Sequence, residues 1–246
     1  MSKPHQNPEA VIRPPGFPIL EDEKERKNDM KYTEERQANI DACLWLQDTG
    51  MVIGTWGNVS VRLDEETIMV TPSRIEYADL TPADMVIVDM AGNKVEGEHK
   101  PTSEMHVHRL IYAARPDVGA VVHCHPVYAS AMCAAEHGIP VIFEEMSQMI
   151  GGEIPITAEY VNAGQHVRLG EVTAEALGDK NAVLIRNHAP VCVGRDLKEA
   201  LTCSQVTEKA AKCYLALRGG VEITTIPEAM VKAERHRFLY SYGHEQ

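Results

Sequence analysis

No apolar run of roughly 18 residues occurs in the chain, so a helical membrane span is excluded. The opening residues lack the apolar centre of a secretory leader, so secretion is not expected and a cytoplasmic setting is. Six cysteines (Cys43, Cys124, Cys133, Cys192, Cys203 and Cys213) are scattered without a C-x-x-C pair. That spacing offers no disulfide framework and reads as mostly buried thiols. Basic residues are outnumbered, 24 Lys+Arg against 36 Asp+Glu, for a formal net charge of −12. So acidic a body has no basic face to neutralise phosphates, and nucleic acid is not an expected partner. Internal repeats are absent as well. What is present is a 246-residue chain, ample for one large core, carrying eleven histidines.

Residues 1–30 read as an arm outside the core. Pro4, Pro8, Pro14, Pro15 and Pro18 interrupt regular structure, and 21–27 is a charged run without an apolar stripe. Such a segment is solvated or draped over a partner, leaving 31–246 as a single domain. A helix is predicted from Thr33, where Glu34 and Glu35 favour the positive N-terminal end, to a stop at Gly50. Strands follow over 59–63, 67–71 and 85–89. The stretch 101–114 reads as a helix with Glu104 in its first turn. Then come a strand over 118–125, a helix over 127–137 and a helix over 165–177. Strands over 182–186 and 191–193, a long helix capped by Asp196, and a helix over 228–240 complete the pattern. Mixed elements without a repeating β-α-β unit favour a layered mixed-sheet domain.

His123 and His125 stand two apart at the end of a predicted strand, on one face and roughly 7 Å apart at the backbone. That spacing alone serves a structural pair as readily as a ligand pair. Pro126 ends the strand there, and strand ends are where binding sites collect. His188, in a short loop after an apolar strand, is placed to lean over a neighbouring strand end. Three neutral imidazoles with an open position make a catalytic zinc arrangement. Glu104 is the leading carboxylate to join them, and Thr102 and Ser103 stand before it at a helix N-terminus, a setting for an anion. Thr102 or Ser103 as an ordinary cap, and Glu104 as an ordinary first-turn acid, would explain the same residues. His106 and His108 share the helix of Glu104 and suit hydrogen bonds behind a metal ligand. His5, His99, His137, His166, His236 and His244 read as surface residues.

Taken in order, Gly57-Asn58-Val59-Ser60-Val61-Arg62, Thr71-Pro72-Ser73, Lys100-Pro101-Thr102-Ser103-Glu104, Val121-Val122-His123-Cys124-His125 and Asn187-His188 form a series. It resembles the class II aldolase/adducin family over roughly residues 33–220. The resemblance implies a three-layer α/β/α domain with a largely antiparallel central sheet, assembled as a homotetramer with active sites between subunits. It implies one divalent metal per chain, zinc first and manganese or another divalent ion next, held by His123, His125 and His188. Glu104 would be the acid/base and a metal ligand when substrate is absent. Gly57, Asn58, Ser73, Thr102 and Ser103 would bind a small anionic substrate, a phosphate or a carboxylate. The implied reaction is cleavage of a ketose phosphate through a metal-stabilised enediolate, a carbon–carbon lyase activity. Epimerases of the family usually carry Asp where Glu104 stands, and adducin-type members lack the metal ligands.

Three departures bear on the substrate. Arg74 stands where the sugar-phosphate aldolases commonly have Gly; it would fill the anion pocket, clamp a phosphate or carboxylate, or face solvent. Where a tyrosine acid is expected from a neighbouring subunit, the chain reads Phe143-Glu144-Glu145-Met146, so Glu144 or Glu145 would replace it unless the reaction needs no such acid. Met146 and Met149 nearby read as packing residues. Ala189-Pro190 follows His188 where Gly is commoner. These departures keep open a metal-dependent decarboxylase of a hydroxylated aromatic or pyridine dicarboxylate, with Arg74 as carboxylate clamp and Phe143 beside the ring. Tyr214, Tyr240 and Tyr242 read as packing residues and receive no role.

Overall fold

A computed structural model describes residues 30–241 of the chain. The sheet and helices described here all belong to one unit, Thr33–Gln246. The arm expected over 1–30, with His5, lies outside the described residues apart from Met30, as do Tyr242 and His244.

Seven strands pair into one sheet: β1 (Asn58–Arg62), β2 (Thr67–Val70), β3 (Val86–Asp89), β4 (Lys94–Glu96), β5 (Ala120–His123), β6 (Ala182–Leu184) and β7 (Pro190–Gly194). Their order is β4-β3-β2-β1-β5-β7-β6, and every neighbouring pair is antiparallel. Most of these strands are short apolar runs with both faces buried, as a sheet covered on two sides requires. Among the described residues six α-helices cover it: α1 (Thr33–Asp48), α2 (Met105–Ala114), α3 (Val127–Cys133), α4 (His166–Leu177), α5 (Leu197–Leu217) and α6 (Glu228–Tyr240). On one face Val121, Val191 and Val193 pack with Val107 and Ile111 of α2 and Leu169 and Val172 of α4. On the other, Ala182, Leu184 and Cys192 meet Met132 of α3, Cys203 and Ala210 of α5, and Val231 of α6. The arrangement is the three-layer α/β/α domain with an antiparallel central sheet that the motif series implied.

Local chemistry sets most boundaries where the sequence places them. Asp196 caps α5, its carboxylate accepting from the Glu199 amide at 2.7 Å. Gly170 brings α4 close to α2, because a Cβ there would lie 2.5 Å from the His106 carbonyl oxygen. Arg36 is fully buried on α1 and donates to the Pro82 and Met85 carbonyls, tying that helix to the loops before β3. Met146 and Met149 lie in a turn of π-helix (Met146–Ile150) and fill the core, as expected. All six cysteines are free thiols and five are buried. Among the described residues no helix is long and apolar enough to cross a membrane.

Most boundaries agree to within one or two residues, although β5 ends at His123 and leaves His125 beyond it, and three differences are larger. β4 was not foreseen; it is an exposed edge strand of three residues whose Lys94 and Glu96 suit an edge that must not pair further. α3 stops at Cys133, short of residue 137. α2 starts at Met105, so Glu104 is its N-cap residue (φ −98°, ψ 16°) and not a first-turn acid. The preceding residues cannot coil, because they pair with the chain beyond β2. Pro72 and Pro101 form an antiparallel bridge, the Ser73 amide donates to the Lys100 carbonyl at 2.9 Å, and the Thr102 amide donates to the Thr71 carbonyl at 2.9 Å.

Candidate metal centre

The central strands end together at one edge of the sheet, and their register sets the site. Asn58 at the start of β1 lies opposite His123 at the end of β5, and His123 lies opposite Val191 of β7. Just past β5, the His125 amide donates to the Met51 carbonyl at 2.8 Å, while Pro126 leads into α3. Glu208 of α5 accepts from the Tyr128 and Ala129 amides at 3.0 and 2.7 Å, anchoring that exit. His188 arrives on the turn between β6 and β7. Asn187 takes a left-handed conformation there (φ +55°), which asparagine tolerates better than most residues, and its amide donates to the Cys133 carbonyl at 2.7 Å.

These turns bring His123, His125 and His188 together with ring centroids 4.8–5.2 Å apart and one nitrogen from each within 4.8 Å of the others. His123 Nδ1 lies 2.9 Å from the Pro190 carbonyl, an acceptor only, so Nδ1 carries the ring proton. Nε2 of His123 therefore presents a lone pair to the centre. It lies 3.1 Å from His125 Nε2 and 3.2 Å from Glu104 Oε2. Glu104 Oε1 lies 3.3 Å from His188 Nε2. Lone pairs of three imidazoles and a carboxylate thus converge on one point, a donor set that fits a divalent cation.

The charge states suit the same use. Burial opposes ionisation of Glu104, yet the facing imidazoles of His123 and His188 and the Asn58 amide hold its carboxyl down at about 2. Burial, with the neighbouring imidazoles, pushes His125 down to about 3 and His188 to about 4. At neutral pH the Glu104 carboxylate is thus ionised and the His125 and His188 rings are uncharged, the state a metal requires of its ligands.

A cavity of about 290 Å³ opens over this cluster. Gly57, Asn58, Ser73, Arg74, Thr102, Ser103, Glu104, His125 and His188 all line it, and His123 lies beneath them, 1% exposed. The candidate site residues read from the sequence are thus brought together. Gly57 has no room for a side chain, since a Cβ would meet Val52 Cγ2 at 2.6 Å and the His123 carbonyl at 3.1 Å. Arg74 is exposed and holds a left-handed backbone (φ +64°), the conformation for which glycine is the unstrained choice.

Other expectations fall elsewhere. Phe143 packs against the core with the Lys209 ammonium 4.5 Å above its ring, and Glu145 pairs with Lys209. Neither these residues nor Glu144 lines the cavity within its own chain; the site role expected for this segment is that of a neighbouring subunit. His99 pairs with Asp84 at 2.8 Å, while His137 and His236 are exposed. His106 accepts from Arg109 Nε at 2.6 Å and makes no bond to the cluster. Tyr214 is buried in the core and Tyr240 is exposed.

Trp56 escaped the sequence reading, and of the hydrogen-bond chain behind Glu104 only His108 was expected there. Trp56, 71% exposed, forms part of the cavity wall; it stood one residue before the Gly57-Asn58 motif already singled out. Behind Glu104, Asn58 Nδ2 donates to Oε2 at 3.0 Å, and Asn58 Oδ1 is bonded by the fully buried His108. Ser60 and Tyr112 continue that chain inward. Its signal was the four-residue spacing Glu104, His108, Tyr112 facing the alternating pair Asn58, Ser60.

The family model for the class II aldolase and adducin N-terminal domain matches residues 37–215. An L-fuculose 1-phosphate aldolase superposes with a TM-score of 0.81 at 27% identity, over 86% of this chain and 99% of that one. YgbL of Klebsiella pneumoniae, a candidate aldolase, epimerase or decarboxylase, superposes at 0.75 with 26% identity, covering 84% of this chain and 100% of its own. The L-fuculose-1-phosphate aldolase of Thermus thermophilus gives 0.63 at 28% identity, over 74% of this chain and 93% of its own.

Proposed function

The chain belongs to the class II aldolase and adducin family, and from that premise we propose that it is a metal-dependent carbon–carbon lyase acting on a ketose phosphate. The observation that carries the reading is the convergence of His123, His125 and His188 on the Glu104 carboxylate at the floor of a polar cavity. The three histidines would hold one divalent ion, zinc first and manganese next, and the ion when bound supplies a Lewis acid that lowers the cost of negative charge on substrate oxygens.

The protein's own groups account for the rest. Glu104 faces the cavity as a carboxylate and moves the proton on the carbon next to the carbonyl. In the condensation direction it removes that proton, and the electron pair stays with the ketone fragment to form the new carbon–carbon bond. In cleavage the bond breaks, its electron pair returns to the ketone fragment, and Glu104 delivers the proton to that carbon. Asn58, Ser73, Thr102 and Ser103 bind the phosphate through amide, hydroxyl and backbone groups, with Arg74 above them. The hydroxyl on the aldehyde side needs a second proton carrier. In a homotetramer with sites between subunits, Glu144 or Glu145 of a neighbouring copy would serve. With all three histidines in place, a non-catalytic adducin-like role is disfavoured, and Glu104 in place of Asp disfavours an epimerase.

One observation favours a second reaction on the same site. Trp56 and Arg74 line the cavity together, an aromatic wall and a guanidinium that suit a hydroxylated aromatic or pyridine dicarboxylate. Carbon dioxide, not an aldehyde, would then leave. A substrate panel on the metal-loaded protein separates the two. Aldehyde release from ketose 1-phosphates, L-fuculose 1-phosphate among them, supports the lyase of sugar phosphates. Carbon dioxide release from hydroxy-aromatic acids supports the decarboxylase. Elemental analysis finding no metal after purification without chelator would overturn both.

A further inference from the structure

A polar seam runs between α2 and β1 through an otherwise apolar interface. Glu104, His108 and Tyr112 recur every fourth residue from the cap of α2 inward, and Asn58 and Ser60 alternate onto the facing side of β1. His108 is 0% exposed, and both ring nitrogens are engaged: Nδ1 lies 2.7 Å from Ser60 Oγ, and Nε2 bonds to Asn58 Oδ1. Asn58 Nδ2 donates to Glu104 Oε2 at 3.0 Å. At the inner end the Tyr112 hydroxyl donates to the Ser60 carbonyl at 3.0 Å.

Following the protons along the seam leaves one consistent direction. A primary amide presents a donor on one side and an acceptor on the other. With Nδ2 turned to the carboxylate, Oδ1 faces His108, whose Nε2 must then carry the ring proton. The uncharged ring is left with a lone pair on Nδ1, which takes the Ser60 hydroxyl proton. The reverse polarity needs a protonated Glu104 donating to Asn58 Oδ1 and a His108 proton on Nδ1.

We infer that His108 is a positioning residue: by holding Asn58 as a donor to Oε2, it fixes the Glu104 carboxylate and leaves Oε1 as the oxygen that exchanges the substrate proton. The inference rests on the reading of Glu104 as the proton-transfer group. Oε2 is already committed to the amide, whereas Oε1 faces His188 across 3.3 Å. Without His108 the Asn58 amide is free to turn over and set its oxygen against the carboxylate, which would swing the proton acceptor out of line. Supporting residues behind a metal site commonly cost about 10- to 100-fold when removed.

The test begins with the full-length, metal-loaded chain and needs no substrate. Long-range ¹H–¹⁵N correlation spectra should show His108 as the Nε2–H tautomer with Nδ1 accepting a hydrogen bond; an Nδ1–H tautomer overturns the inference. Two variants then separate positioning from packing. His108→Gln places an amide donor near the Nε2 position, and His108→Asn reaches only the Nδ1 position. With a ketose 1-phosphate, His108→Asn should lower kcat by about 10- to 100-fold at unchanged KM and metal content, and His108→Gln should recover most of it. Equal kcat losses in both variants, or a loss carried by KM or by metal content, would also overturn it. Full turnover in Glu104→Gln would instead remove the proton-transfer reading, leaving the tautomer result standing.

Discussion

At the scale of single residues, the cluster makes the fold sensitive to acid in a direction the burial fixes. His108 is uncharged in the fold, its pKa pushed by burial to about 3 from an ordinary 6.5. The unfolded chain binds a proton through that interval and the folded chain does not. Stability is therefore full above about pH 6.5 and falls as the pH drops toward 3. Burial resists the charge on Glu104, but the imidazoles and Asn58 hold its carboxyl at about 2 against an ordinary 4.5, so a further loss follows between those values. Urea melts of the metal-free chain in steps from neutral pH downward should show a steady decline, and His108→Gln should flatten its upper part. Glu104→Gln keeps the shape but not the basicity. Turnover should drop by at least about 100-fold while metal content, read by elemental analysis, stays at one ion per chain. Arg74 holds a left-handed backbone that Gly adopts without strain, so Arg74→Gly should raise stability by roughly 1 kcal/mol in a denaturant melt. It should also shift preference toward phosphate substrates if the protein is a decarboxylase; an unchanged preference would mean that Arg74 serves neither anion.

At the scale of elements, the site depends on how closely α2 approaches its neighbours. Ala has a helix propensity about 1 kcal/mol better than Gly, so Gly170→Ala in the middle of α4 should stabilise an isolated helix. In this protein its Cβ would meet the His106 carbonyl at 2.5 Å and Leu110 Cδ1 at 2.8 Å. The predicted net effect is a loss of about 1–3 kcal/mol on denaturant unfolding, because backbone yields less readily than a flexible side chain. The same interface shows what could and could not be read in advance. His123, His125 and His188 were legible because each ends or follows an apolar run, where a polar imidazole has no packing purpose. Thr102, Ser103 and Glu104 were legible as a group, yet their conformation was not. The bridge to Pro72 that keeps them extended joins residues far apart in sequence, and no local propensity encodes it. His108 and Tyr112 were harder still. Polar residues four apart on a helix read equally as a wetted face, until β1 is known to lie against them. The packing of Phe143 beneath Lys209 was hidden for the converse reason, since tertiary contact alone settles it.

At the scale of the whole molecule, the −12 charge and the proposed anionic substrate are reconciled by position. Acidic residues outnumber basic ones along the chain, while the cavity gathers Arg74 and the three-histidine cluster that could hold a cation. Layer order and the antiparallel sheet were legible in outline because apolar strands and amphipathic helices follow each other without β-α-β repetition. The strand order was not, since pairing β1 with β5 and β5 with β7 crosses long stretches of chain. Because the ligands come from separate turns, only the assembled sheet presents them together, and metal should stabilise the native state alone. Zinc at about 100 times its dissociation constant should add about 2.7 kcal/mol, seen as a rise in melting temperature that chelator reverses. The His123→Ala, His125→Ala double variant should melt at one temperature with or without zinc.

The clasp between Pro72 and Pro101 has a consequence for how such a protein can change over time. It joins two segments, 71–73 and 100–102, that carry the cavity-lining Ser73 and Thr102 and stand outside the named strands. The metal-facing imidazoles come from other turns altogether. The clasped hydroxyls and the imidazoles are therefore mounted on separate parts of the frame, with Glu104 between them. Exchange of the clasped pair would reshape the rim of the cavity while the three imidazoles at its floor stay in place.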